Sequence, residues 1–120
     1  MNRPAQEPVR VFEDDPGTVV MVITGDFDVG ISPRVQAWLL DAAARPLVST
    51  ANVDASEVTF IDSSAIAAPL RGRSAFAARG GTLRVTQASP TVRRLLELTG
   101  LADHLNLAAI DGTPRDLAVR

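Results

Sequence analysis

The chain has 120 residues, enough for one domain with one core, since a globule of this size buries roughly two-thirds of the surface its unfolded chain exposes. A net charge of −2 supplies no cationic excess for a phosphate backbone, and 4% aromatic residues leave little to stack on bases, so no direct nucleic acid partner is expected. With no cysteine and a single His outside any ligand pattern, disulfides, thiolate chemistry and sulfur-ligated metals are excluded and a zinc site is not expected.

Residues 1–8 are polar, carry two prolines and read as a flexible tail. The alternating run Val9-Arg-Val-Phe-Glu13 predicts a first strand, and Asp14-Asp-Pro-Gly17 predicts a turn, because Pro presets φ and Gly accepts a positive one. A hairpin partner follows in Thr18-Val-Val-Met-Val-Ile-Thr24, whose nearly continuous apolar run suits a strand central in its sheet. Gly25-Asp-Phe-Asp28 breaks that run. Ile31-Ser-Pro-Arg34 then predicts a helix start, with Ser32 as cap, Pro33 at the first helical position and Ile31 as staple. Val35, Trp38, Leu39 and Ala42 form its apolar face, which places Trp38 in the core, and Pro46 ends the helix.

A third strand is expected from Leu47, interrupted by the turn-like Asp54-Ala-Ser-Glu57 and resuming through Val58-Thr-Phe-Ile61. There the β-rich run stops abruptly at Asp62-Ser-Ser64, residues whose side chains cap the free N–H groups of a helix start, so this is a strand-to-helix corner. The second helix is expected over about 64–79. Pro69 and Gly72 fall inside it, so either the regular helix begins late enough to put Pro69 in its first turn or the helix is kinked there; a distorted start is favoured. Gly80-Gly81 ends it, Thr82-Leu-Arg-Val-Thr-Gln87 alternates as a strand, and Ser89-Pro90 opens a short helix that stops at Gly100. An edge strand over residues 105–110 and a brief helix from Thr113-Pro114 close the chain. Strands alternating with helices make this an α/β domain.

Three motifs in this order, Gly25-Asp-Phe-Asp-Val-Gly-Ile-Ser-Pro-Arg34, Glu57-Val-Thr-Phe-Ile-Asp-Ser-Ser-Ala-Ile-Ala67 and the stretch from Gly81 to Leu101, resemble the STAS domains of bacterial anti-sigma factor antagonists (anti-anti-sigma factors). The resemblance covers roughly residues 9–107 and implies a STAS fold, a mixed four- to five-stranded β-sheet with helices packed mainly on one face, as a single domain over residues 9–120. It further implies a regulatory binding module, not an enzyme, that binds a Ser/Thr kinase-type anti-sigma factor when unphosphorylated, is released on phosphorylation of Ser63, and is reset by a Ser/Thr phosphatase. Asp62, Ser64, Asp26, Asp28, Ala65 and Ile66 are the implied partner-binding residues. Two departures stand beside the switch: Ala65 where relatives usually carry Gly, and Pro69 where they carry a large aliphatic.

Those departures keep open a second class, a constitutive STAS subunit of a larger assembly, such as a lipid-transport ATPase or a sensory complex, with no serine switch. Without the resemblance, Asp62-Ser-Ser64 is a helix cap and Asp26 and Asp28 are solvated turn residues. Arg93-Arg94 reads as a solvated face because Glu97 lies one turn from Arg93. His104 with Asp103 and a serine lacks the Gly-x-Ser-x-Gly elbow of a hydrolase, and no Walker or dinucleotide-binding loop occurs, so no catalytic residue and no cofactor is expected. No stretch reaches the roughly 18 continuous apolar residues of a membrane span and no signal-peptide core precedes the first strand, so no membrane insertion and a cytoplasmic location are expected.

Overall fold

A computed structural model describes residues 7–107. Residues 1–6 of the expected tail, residues 108–110 of the expected last strand and the expected helix at Thr113-Pro114 lie outside the described residues. Strand β1 (Val9–Glu13) turns through residues 14–17 into β2 (Thr18–Phe27), helix α1 (Ser32–Ala44) leads to β3 (Thr50–Ile61), a 3-10 turn (Ser63–Ile66) runs into α2 (Ala67–Ala77), and β4 (Thr82–Ala88) precedes α3 (Pro90–Leu98). The sheet order is β1-β2-β3-β4, antiparallel between the first two and parallel across the rest. This is the mixed α/β arrangement that the motifs imply. Gly17, at φ +85°, closes the hairpin turn as its residue type requires.

The core lies between the sheet and the helices. Val19, Met21 and Ile23 of β2, Ala51 and Val53 of β3, and Leu83 and Val85 of β4 project to the same side and are buried there against Val35 and Leu39 of α1, Phe76 of α2 and Leu96 of α3. Aliphatic side chains fill this layer because aromatics are scarce. Gly72 sets the distance between α1 and α2: a Cβ there would sit 2.9 Å from Leu39 Cβ and 3.0 Å from Leu83 Cδ1. The glycine that weakens α2 by propensity therefore permits its closest packing.

Several local expectations shift for physical reasons. The backbone at the start of α1 makes Ile31 the N-cap, with Ser32 and Pro33 inside the helix, because the N–H groups of Ile31 and Ser32 both reach the carbonyl of Asp28 (3.0 and 2.8 Å). Ser32 is thus not the cap. At the other end Arg45 is extended (φ −85°, ψ 121°), as the residue before Pro46 must be. Trp38 is 45% exposed instead of buried, since the buried stripe is Val35, Leu39, Ala42 and Ala43. Trp38 shares its side of the helix with Arg34 and Arg45, which pair with Glu7 (3.6 Å) and Glu13 (3.8 Å) beside β1. In α3 only Val92 and Leu96 are buried, and Leu98 at its end is exposed.

Both readings of α2 meet in the result. A 3-10 turn forms the distorted start, and the regular helix begins at Ala67, so Pro69 occupies its first turn, where an amide would lack an intrahelical partner. The turn-like Asp54-Ala-Ser-Glu57 does not interrupt β3. Asp54 Oδ1 accepts from Ser56 N–H (2.9 Å) and Ser56 Oγ (2.6 Å), a bulge inside a continuous strand. After α3, the segment 101–107 covers the outer edge of β4, with Val85 N–H donating to Leu105 O (2.8 Å) and Asn106 Nδ2 to Leu83 O (3.0 Å). In the described part of the expected fifth strand, residues 105 and 106 form a turn and residue 107 has no regular structure, so no strand forms there.

Candidate functional site

The two acidic motifs meet at the carboxyl ends of the parallel strands. Asp26 lies opposite Phe60 and Phe27 opposite Ile61, and the Asp62 amide extends that ladder by donating to Phe27 O (3.0 Å). The loop carrying Asp26 and Asp28 is thereby held beside the corner carrying Asp62, Ser63 and Ser64. Asp28 is partly occupied by its own turn, accepting from Gly30 N–H at 3.0 Å, whereas Asp26 is exposed.

At the corner the three polar residues have distinct tasks. Asp62 Oδ1 accepts from the Ser64 N–H (2.9 Å) and from Ser64 Oγ (3.0 Å), so the acid caps the 3-10 turn with its side chain. Those bonds, the backbone one first and the hydroxyl second, hold the Asp62 carboxyl below its ordinary pKa because they favour the charged form. Ser64's hydroxyl is therefore engaged. Ser63 is exposed, and its hydroxyl makes no hydrogen bond to any described residue. Of the two adjacent serines, the first is the one offered outward.

Ala65 and Ile66, expected at the docking surface, are buried, at 0% and 7% exposure. The 3-10 turn rotates them onto the core, with Ala65 N–H bonded to Asp62 O (2.8 Å), so they brace the corner from beneath. A small apolar void of about 20 Å³ lies below, lined by Ile23, Phe27, Ile66 and Pro69 among others. That is far smaller than the roughly 300–1,000 Å³ of a small-molecule site. Among the described residues no cluster of His, Cys, Asp or Glu has the arrangement of a metal site, and no helix is long and apolar enough to cross a membrane.

The sequence pattern missed two apolar members of this surface, Phe60 (53% exposed) and Val29 (67% exposed). By simple alternation Phe60 would share the buried side with Val58. The register instead steps from Gly25–Val58 to Asp26–Phe60, leaving Thr59 as an extra residue that reverses the phase of the strand and turns Phe60 outward. No signal short of the pairing register identifies that residue. The side is acidic as well: between positions 24 and 70 the only cations are Arg34 and Arg45, both paired toward β1. Arg93 pairs with Glu97 (3.9 Å), as their helical spacing predicts, and His104 lies exposed in the turn after α3.

Solved structures share this architecture. The anti-sigma factor antagonist SpoIIAA in its unphosphorylated form superimposes with a TM-score of 0.73 at 23% identity, covering 86% of this chain and 90% of that one. The Bacillus cell fate determinant SpoIIAA in the phosphorylated form gives 0.69 at 22% identity, covering 93% and 99%. An anti-sigma factor antagonist from Mycobacterium paratuberculosis gives 0.67 at 22%, covering 86% of each chain, and a sulfate transporter family protein from Wolinella succinogenes gives 0.60 at 17%, again covering 86% of each. At these identities the likeness concerns the fold. No curated protein matches the chain in sequence. The family model described as "Mlab, STAS domain" matches residues 11–109, which run from within β1 past the end of α3 and take in the Asp62-Ser-Ser64 corner, and the chain belongs to the STAS-domain family.

Proposed function

We propose that the protein is an anti-sigma factor antagonist whose Ser63 corner is a switchable docking surface for a kinase-type anti-sigma factor. The observation that carries this reading is the division of labour between the two serines: Ser64 is bound by Asp62, while Ser63 stands exposed without a partner among the described residues. Phosphoryl transfer from ATP forms a bond between Ser63 Oγ and phosphorus, releases ADP and gives up the hydroxyl proton. The product carries about −1.5 to −2 added charge on a surface already rimmed by Asp26, Asp28 and Asp62. Docking is lost through repulsion and desolvation at that surface, and every 1.4 kcal/mol lost is about tenfold in affinity. A Ser/Thr phosphatase restores the docking form. The protein itself performs no chemistry and works in the cytoplasm.

Asp26, Asp28 and Asp62 supply the charged part of the contact, and Phe60 and Val29 the apolar part. The test is to incubate the protein and its Ser63→Ala variant with a candidate anti-sigma kinase and ATP, mapping phosphate by mass spectrometry. Label confined to position 63 and absent from the variant supports the proposal; label that persists in Ser63→Ala overturns it. A second reading, a constitutive STAS subunit of a larger assembly such as a lipid-transport ATPase or sensory complex, is favoured by Ala65, Pro69 and the likeness to the sulfate transporter family protein. It predicts stable co-purification with an assembly that Ser63→Asp leaves unchanged.

A further inference from the structure

Asp62 has a consequence for the modified state that rests on reading Ser63 as the phosphorylation site. The start of a helix normally draws in an anion, because its first N–H groups lack partners and point outward. At this corner three such donors are taken. Ser64 N–H goes to the Asp62 carboxylate (2.9 Å), Ala65 N–H to Asp62 O (2.8 Å), and Ala67 N–H to the carbonyls of Ser64 and Ala65. Ser64 Oγ, the nearest hydroxyl, also donates to Asp62. The Asp62 backbone is itself pinned to Phe27 O (3.0 Å), which fixes the point from which its carboxylate reaches Ser64.

We infer that Asp62 is a positioning residue: its carboxylate holds the Ser64 amide and hydroxyl, so that a phosphoryl group on Ser63 is kept off those donors and projected toward the partner. A phosphate drawn into the cap would spend its charge on amide donors inside the molecule and present a weaker field outside it. With the carboxylate in residence, the phosphate meets a like charge one residue away and finds the Ser64 amide and hydroxyl already taken. Asp26 and Asp28, on the end of β2 and the loop after it, add negative charge, and α2 carries no cation before Arg71. The switch is thereby made by a charge that stays fully exposed.

The inference is tested without any kinase, on full-length protein carrying phosphoserine installed at position 63 by genetic encoding. The phosphate is titrated by 31P NMR in three proteins: the one that retains Asp62, the Asp62→Asn variant and the Asp62→Ala variant. The asparagine substitution keeps an oxygen acceptor for Ser64 but removes the charge, and the alanine substitution frees the Ser64 amide. The second phosphate pKa, ordinarily about 6, is expected to be raised by about half a unit or more with Asp62, because a like charge disfavours the dianion. It should return to the ordinary value in Asp62→Asn and fall below it in Asp62→Ala. In the protein that retains Asp62, the Ser64 amide proton should follow the titration of Asp62 and ignore that of the phosphate. Equal phosphate pKa values with Asp62 present and in the Asp62→Asn variant, or a Ser64 amide that tracks the phosphate while Asp62 is present, overturn the inference. Should the alanine variant not fold, the comparison with Asp62→Asn decides alone. Failure of kinase labelling at Ser63 would remove the phosphosite reading, whereas this titration addresses Asp62 only.

Discussion

Ser63 and Ser64 are identical in type and adjacent in sequence, yet the fold gives them opposite fates. The difference is one carboxylate two residues before Ser64, which closes on that residue's N–H and hydroxyl and leaves Ser63 outside the loop of bonds. The pH dependence follows from the sign of the Asp62 shift. A pKa lowered in the folded state means that the ionised form is stabilised by folding, so the contribution is present above the unfolded value and is lost as pH falls through the folded one. The melting temperature of the protein should exceed that of Asp62→Ala at neutral pH, and the gap should close in acid, below the ordinary aspartate range; thermal melts of both between about pH 2 and 7 check this. Phe60 offers a second residue-scale test. Because its ring is exposed, Phe60→Ser should leave the melting transition nearly unchanged, within about 0.5 kcal/mol in stability. Its affinity for a kinase-type partner should fall at least tenfold by titration calorimetry.

Among the elements, α2 shows how a sequence that opposes a helix still forms one. Pro69 is tolerated because the 3-10 turn takes the first residues and leaves proline in the first turn of the regular helix. Gly72 is retained at the crossing with α1 because no side chain fits there. Gly72→Ala gains up to about 1 kcal/mol of helix propensity but drives a Cβ against Leu39 and Leu83, and overpacking of this kind costs about 1–3 kcal/mol. Since Leu39 Cβ is fixed by its own helix, the clash should win. The urea midpoint should drop with an unchanged slope, and a rise would show that the two helices separate freely. The register shifts in β3 belong to the same scale. Two extra residues relative to β2, one between Asp54 and Glu57 and one at Thr59, reverse the side-chain phase twice within the strand, and the second reversal makes Phe60 a surface residue.

Across the molecule, charge is sorted by side. Arg34 and Arg45 turn toward β1 and its acids, while Asp26, Asp28 and Asp62, at the end of β2, the loop after it and the corner, form no ion pair among the described residues. Association through that side should be steered by charge, so its on-rate for a kinase-type partner should fall as ionic strength rises from about 0.01 to 0.15 M, over which the screening length shrinks from roughly 30 to 8 Å. Surface plasmon resonance at several salt concentrations measures this, and a flat profile would mean that the acidic rim takes no part. Much was already readable before any coordinates. Turn chemistry at Asp14-Asp-Pro-Gly17, the proline that ends α1, the cap at Ser89 and the alternation of strand and helix are each dictated by residues a few positions apart, and the α/β class and the strand-to-helix corner at Asp62-Ser-Ser64 follow from them. The identity of the exposed surface did not follow. Trp38 outside the core, Phe60 turned outward, Ala65 and Ile66 turned inward and the need for Gly72 all depend on which strand pairs with which, in what register, and how closely two helices cross. Those are distances between residues far apart in the chain, and a local pattern, which repeats every two or about 3.6 residues, contains no measure of them.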